Sequence, residues 1–280
     1  MRALGCVLGP ALFPHYSRFT LSSMEAVAPR VVRLDARACD EAAWKRFAKA
    51  VPGQFVFLSL RAPGLRPSAR TLSIAGIERE DQRLSFLVKG TGSWSLALYD
   101  ALPRFPAHAK LAGAKRGSTE ASDRAWFVDL AGPYGRFTLR ASTPRGCEGG
   151  PLVFIAGGIG IAPFLAMATE LARDVKKRRL LILWAAGTRE DLAGLDGLIA
   201  LAKANPAIRT VPILSHDPMW EGRKGHIDEA ALAELAGAEL ADPAASFWIC
   251  APKALRISLL KAFKARGVSR RRIRIESFRL

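Results

Sequence analysis

The pair Gly149-Gly150 divides the chain into two stretches whose patterning calls for different architectures. Beyond it, short continuous apolar runs alternate with helical patterns. The runs are Pro151 to Ala156, Arg179 to Ala185, Arg209 to Leu214 and Ser246 to Cys250; the helical stretches are Pro163 to Val175, Asp191 to Ala204, Asp228 to Leu235 and Lys253 to Arg266. A run that is apolar throughout suits a strand buried on both faces, and strand–helix alternation builds a parallel sheet with crossover helices. Ahead of the pair the spacing is different. Val31 to Leu34, Gln54 to Leu60, Thr71 to Ala75, Leu84 to Val88, Trp126 to Leu130 and Phe137 to Leu139 read as short strands punctuated by Pro, Gly and Ser. That pattern predicts an antiparallel β-barrel or sandwich. Arg104 to Arg124 has no periodicity and reads as a long, basic surface loop. The expected organisation is an N-terminal tail over residues 1–25, a β-barrel domain over 26–147 and an α/β parallel-sheet domain over 148–280.

A chain of 280 residues has room for two such domains, and half of its residues are hydrophobic, enough to build a core in each. Its 42 basic side chains outnumber 25 acidic ones, a net charge of +17. Such a field draws nucleotide phosphates, acidic proteins, anionic lipid or nucleic acid. No zinc-finger spacing or aromatic-rich basic repeat accompanies the charge, which weighs against nucleic acid. Cys6, Cys39, Cys147 and Cys250 lie far apart with no CxxC, so neither a metal centre nor a disulfide framework is expected. A reducing cytoplasm is the simplest compartment. Met1 to Tyr16 is apolar but short and broken by Pro10 and Pro14, so no transmembrane segment is expected there. Met24 is an alternative start.

Leu152 to Ala156 runs directly into Gly157-Gly158-Ile159-Gly160-Ile161-Ala162-Pro163. Glycines allow a tight turn and close approach of backbone N–H groups to a ligand. Pro163 suits the first turn of a helix, whose free N–H groups and dipole make a ready pyrophosphate site. The third glycine of the G-x-G-x-x-G fingerprint is replaced by Pro163, and ordinary strand-to-helix turns look similar. Spacing alone leaves both readings open.

The wording of this segment, GGIGIAPF, resembles the nicotinamide-dinucleotide turn of the ferredoxin–NADP reductase superfamily, and other motifs of that family follow in order from about Ala26 to Phe278. Arg70-Thr71-Leu72-Ser73 is similar to its flavin motif, with Leu72 where an aromatic is usual. The resemblance implies that Arg70 pairs with the FAD diphosphate, that the backbone at Thr71 and Leu72 lines the isoalloxazine, and that Ser73 hydrogen-bonds toward flavin N5. Gly92-Ser93-Trp94-Ser95 resembles the second phosphate loop, with Gly92, Trp94 and Ser95 as donors to the pyrophosphate. Pro52-Gly53-Gln54-Phe55-Val56 resembles the family's turn into a barrel strand, and Gly132-Pro133-Tyr134-Gly135-Arg136-Phe137 its segment at the end of the barrel. Gly157, Gly158, Gly160, Ile161 and Pro163 would hold the nicotinamide dinucleotide.

Arg189, in Gly187-Thr188-Arg189, falls where relatives often hold the adenosine end, and a guanidinium there favours NADPH. Glu190 and Asp191 weaken that inference, and the expected coenzyme is NADPH, with NADH as the alternative. Ser215-His216 stands where NADP-specific relatives often carry Ser-Arg. Ile249-Cys250-Ala251-Pro252 resembles the C-G-P turn that brings a Cys to the nicotinamide, and Ile275-Glu276-Ser277-Phe278 resembles the E-x-F ending in which Phe278 covers the flavin. The resemblance thus implies a FAD-binding β-barrel followed by a Rossmann-like NAD(P)-binding domain. Its activity would be NAD(P)H oxidation, with Ser73, Cys250 and Glu276 around the reacting atoms. The acceptor would be a ferric chelate, a heme or iron–sulfur protein, or another acidic redox partner, and the charge also suits peripheral contact with a membrane. A non-catalytic flavin- or nucleotide-binding sensor of the same fold is the alternative, for which Leu72, Ala251 and His216 leave room.

Overall fold

A computed structural model describes residues 15–62, 65–105, 126–173 and 178–277. Within them the chain forms β1 (Ser17–Ala28), β2 (Val31–Ala38), α1 (Glu41–Phe47), β3 (Phe55–Arg61), β4 (Ala69–Ser73), β5 (Gly76–Glu78), β6 (Arg83–Lys89), α2 (Ser93–Asp100), β7 (Phe127–Tyr134) and α3 (Leu139–Ser142). There follow β8 (Leu152–Gly157), α4 (Ala162–Ala172), β9 (Leu180–Ala186), α5 (Leu195–Ala204), β10 (Ile208–Leu214), β11 (Arg223–Lys224), α6 (Glu229–Ala241), β12 (Ser246–Cys250), α7 (Lys253–Ala265) and β13 (Ile273–Glu276).

The first seven strands make one antiparallel sheet in the order β4-β3-β7-β1-β2-β6-β5. Period-two burial decides which side faces in. Along β3, Val56, Leu58 and Leu60 are fully buried while Phe55, Phe57, Ser59 and Arg61 face outward. The inward set packs with Phe19, Leu34, Phe47, Phe86 and Leu130 into a core that α1 and α2 help close. Asp40 caps α1, its carboxylate accepting from the Ala43 N–H at 2.8 Å.

The remaining strands form a parallel sheet in the order β11-β10-β9-β8-β12-β13. Its central strands β8 and β12 are buried at every residue, as helices on both faces require. On one face Phe154, Trp184 and Trp248 meet Phe164 and Met167 of α4 and Leu198 of α5; on the other, Val153, Ile155 and Phe247 meet Leu232 of α6 and Leu259 and Phe263 of α7. The first of these cores also takes in Ala75, Leu87 and Phe137 from the antiparallel half. The Phe137 ring stands 5.1 Å from Trp248 and 5.9 Å from Phe164. The two sheets therefore share packed side chains.

Two expectations change. Residues 17–25 are not tail, because β1 begins at Ser17 and pairs with both β2 and β7; residues 1–14 lie outside the described residues. Phe137 to Leu139 is not a strand. β7 ends at Tyr134, Thr138 caps the short helix α3 by accepting from Ala141 N–H, and Phe137 is spent as a plug between the sheets. The expected loop from Arg104 to Arg124 lies outside the described residues except for Arg104 and Phe105, at a short 3-10 turn. No helix among the described residues is long and apolar enough to cross a membrane. Replacing Phe137 by Ala is expected to cost about 3–5 kcal/mol, the range for truncating a buried aromatic, read as a lower urea midpoint in chemical denaturation.

Candidate active site

The order of the parallel sheet locates a crevice. From β8 the chain steps outward to β9, β10 and β11 on one side; it then returns to lay β12 and β13 on the other. Ligands of open parallel sheets lie beyond the carboxyl ends of the strands at such a reversal. Here the reversal falls between β8 and β12. The register pairs Ala156 with Cys250, so the glycine turn leaving β8 stands level with Cys250-Ala251-Pro252 leaving β12.

The glycines divide their work in a way that spacing did not reveal. A Cβ on Gly160 would sit 2.0 Å from the Cys250 carbonyl oxygen, and one on Gly157 would sit 2.5 Å from Pro252 Cδ. Both positions need glycine because the two turns press together. Gly158 alone has φ +53° with open space where a Cβ would be. Its carbonyl accepts from Trp184 Nε1 at 2.9 Å, which pins the turn to β9. Ile161 and Pro163 are buried, with Pro163 in the first turn of α4, so the helix opens directly behind Gly158.

Cys250 and Glu276 are register partners on β12 and β13. Cys250 is 1% exposed, and burial, aided by the nearby Glu276 charge, pushes its thiol far above the ordinary range. It is a neutral S–H. Glu276 is half-buried, and burial raises its carboxyl to about 7. Ser73 closes β4, opposite Phe55, and is buried two residues before Ala75, which belongs to the core shared with the parallel sheet. Phe278 lies outside the described residues.

A second group forms on the antiparallel half. Arg70 is exposed on the edge strand β4, and its guanidinium carbon lies 5.5 Å from the centre of the Trp94 ring. Trp94 Nε1 is buried without a partner, a donor whose satisfaction from outside the chain is worth asking for. Gly92 is not in a loop. It is the N-cap of α2, with open space around the site of a Cβ. The Ser95 hydroxyl is already engaged, accepting from the Thr91 and Gly92 N–H groups and donating to the Gly92 carbonyl. Ser95 thus builds the cap, and the first N–H groups of the helix are further donors beside it. Thr71 is exposed, while Leu72 is half-buried against the barrel core.

A third group lies at the ends of β9 and β10. Leu214 pairs with Ala186, so residues three steps beyond each face one another. Those residues are Asp217 and Arg189. Arg189 grips the Asp217 carboxylate with Nε at 2.7 Å and Nη2 at 3.0 Å, and its backbone N–H adds a third bond at 3.3 Å. The guanidinium hydrogen bonds hold the Asp217 carboxyl down at about 2. Arg189 also lies 5.9 Å from the Trp220 ring. Asp217 is the residue that motif reading passed over; the parallel register was its signal. The Ser215 hydroxyl contacts His216 Nδ1 at 2.8 Å and the Ala186 carbonyl at 3.4 Å.

A family model described as an oxidoreductase NAD-binding domain matches residues 154–258. The chain is 33% identical over 227 residues to an aromatic O-demethylase reductase subunit of an Amycolatopsis species. That match covers 81% of this chain, and the chain spans 60% of the length of that relative. The crystal structure of an Amycolatopsis cytochrome P450 reductase matches with a TM-score of 0.70 and 28% identity, over 94% of this chain and 70% of that one. A ferredoxin NADP+ reductase from Neisseria gonorrhoeae, solved with bound FAD and NADP, shares the fold at a TM-score of 0.65 and 19% identity, over 93% of this chain and 98% of that one.

The raised Glu276 carboxyl has a consequence for stability. The native state holds this proton more tightly than the unfolded chain, so its contribution is full below about pH 4.5 and is lost as pH rises toward about 7. Glu276→Gln is therefore expected to gain in melting temperature relative to the parent chain as pH is raised across that window. A difference independent of pH would contradict this.

Proposed function

We propose that this chain, which belongs to the ferredoxin–NADP reductase superfamily, is a FAD-dependent NAD(P)H oxidoreductase that supplies electrons to a separate acceptor. The observation that carries the reading is the crevice at the β8/β12 reversal, where the one open glycine, Gly158, and the start of α4 stand beside Cys250 and Glu276.

The residues fit the cofactors. For FAD, the unpartnered Trp94 Nε1, the exposed Arg70 guanidinium beside it and the open N-cap at Gly92 offer an unsatisfied donor, a charge and a helix start within one patch. For NAD(P)H, the space at Gly158 and the α4 N-terminus suit a pyrophosphate, with Gly157, Gly160, Ile161 and Pro163 shaping the turn beneath it. Bound FAD supplies the ability to take a hydride from the nicotinamide and to release electrons one at a time. The chain's own part is placement and proton custody. Cys250 offers a neutral, apolar sulfur at the crevice floor, so no thiolate repels an incoming hydride donor. Glu276, with its carboxyl near 7, can hold or give up a proton at its carboxyl oxygens at neutral pH. Ser73 offers a hydroxyl at the end of β4 that can donate or accept.

The Arg189–Asp217 pair bears on the choice of coenzyme. Arg189 taken alone favours a 2′-phosphate, but Asp217 occupies its Nε and Nη2 and brings a negative charge with it. A carboxylate at this place suits a ribose 2′-hydroxyl, and the pair weighs toward NADH. The acceptor is read as an acidic redox protein or a ferric chelate, consistent with the net charge of +17.

Protein loaded with FAD should be yellow and should bleach anaerobically on addition of NAD(P)H; a chain that takes up no FAD would sink the reading, and bleaching without onward transfer to ferricyanide would favour a sensor. Arg70→Ala should weaken FAD retention by roughly 10- to 100-fold, the range for losing a charged hydrogen bond. Asp217→Asn frees the Arg189 guanidinium and removes a like charge. It is expected to raise kcat/KM for NADPH relative to NADH about tenfold or more, measured by steady-state reduction with both coenzymes.

A further inference from the structure

The outward face of the antiparallel sheet carries a pocket that the coenzyme reading does not use. The register places Arg18, Asp129, Ser59 and Ala69 side by side on β1, β7, β3 and β4, and all four face away from the barrel core. Arg61 lies two residues along β3 from Ser59, on the same face. With Tyr16 these residues line an open depression of about 520 Å3 on the outer face of the sheet, with room for a small molecule. Ala69 and Arg70 are neighbours on a strand, so their side chains leave opposite faces of it. The pocket therefore backs onto the Arg70–Trp94 patch without sharing its side chains.

Asp129 organises the pocket. Its side chain is only 9% exposed, and its two oxygens are divided between the arginines: Oδ1 accepts from Arg18 Nε at 3.1 Å and Oδ2 from Arg61 Nε at 2.6 Å. Each guanidinium spends its inner nitrogen on the carboxylate, and the Nη groups of both have no partner among the described residues. The Phe127 ring lies 5.6 Å from the Arg18 guanidinium carbon and helps fix its plane. Two arginines against one carboxylate leave one net positive charge, and Ser59 lines the pocket on the strand next to Asp129. Two guanidiniums held by a shared carboxylate present several N–H donors to one point, the donor set that forked recognition of an oxyanion uses.

We propose that this pocket is a binding site for the oxyanion headgroup, phosphate or carboxylate, of a small molecule, held by the outward Nη groups of Arg18 and Arg61. The site is separate from the crevice, so the proposal stands whether or not the coenzyme reading holds.

The test follows the arginine Nε–H signals of the full chain by 1H–15N NMR during titration with inorganic phosphate and, in a separate arm, with acetate. Loss of a signal in Arg18→Gln or Arg61→Gln assigns it. Saturable shifts of the Arg18 and Arg61 signals in either arm are expected, and the arm that saturates at lower concentration names the preferred headgroup. Arg61→Gln should weaken the affinity read at Arg18 by at least tenfold. Ala69→Glu, which sets a carboxylate of the chain's own in the pocket, should abolish the response while the Arg18 and Arg61 signals remain. Shifts that rise linearly without saturation in both arms would overturn the proposal, as would an affinity unchanged in Arg61→Gln or in Ala69→Glu.

Discussion

Where the turn after β8 meets the end of β12, two backbones approach until no side chain fits between them. Gly160 lies against the Cys250 carbonyl, Gly157 against Pro252, and Trp184 ties the Gly158 carbonyl from the other side. Close-packed interiors transmit displacement rather than absorb it. The axis of α4, the depth of Cys250 and the level of Glu276 on the neighbouring strand are all set by this contact. It converts two strand ends into one rigid floor and leaves Gly158 as the open backbone on it.

Charge is graded across that floor. At its centre, burial holds Cys250 neutral and keeps Glu276 near the midpoint of its titration at neutral pH. At the rim, Arg189 and Asp217 stay fully charged because each satisfies the other. The same physical setting, a carboxylate beside a parallel strand end, thus gives opposite outcomes for Glu276 and Asp217. The difference is a guanidinium within hydrogen-bonding distance.

Much of this was readable from residue patterns, and the misses have physical causes. Apolar runs such as Ser246 to Cys250 mark buried strands almost to the residue, because a strand covered on both faces tolerates no polar interruption. β1 was missed because its outward positions are Arg, Thr and Ser, which dilute the apolar alternation that Phe19 and Leu21 carry. Phe137 looked like part of a strand because an aromatic between sheets and an aromatic within one have the same composition. That the Ser95 hydroxyl also closes the N-cap of α2 was not legible, because a hydroxyl in a Gly/Ser run does not say whether the helix behind it will claim it. Asp217 required knowing that Leu214 pairs with Ala186, a long-range register that single-sequence periodicity does not encode.

The core shared by the two sheets bears on how the molecule comes apart. Phe137, Ala75 and Leu87 from one half are packed among Phe164, Trp248 and Leu152 of the other, and Gly53 abuts the Met167 side chain of α4. Melting either half bares apolar surface on its neighbour. Two units joined in this way unfold as one cooperative block, so a fragment cut near residue 147 would lose part of the packing that holds its own strands and bare an apolar face.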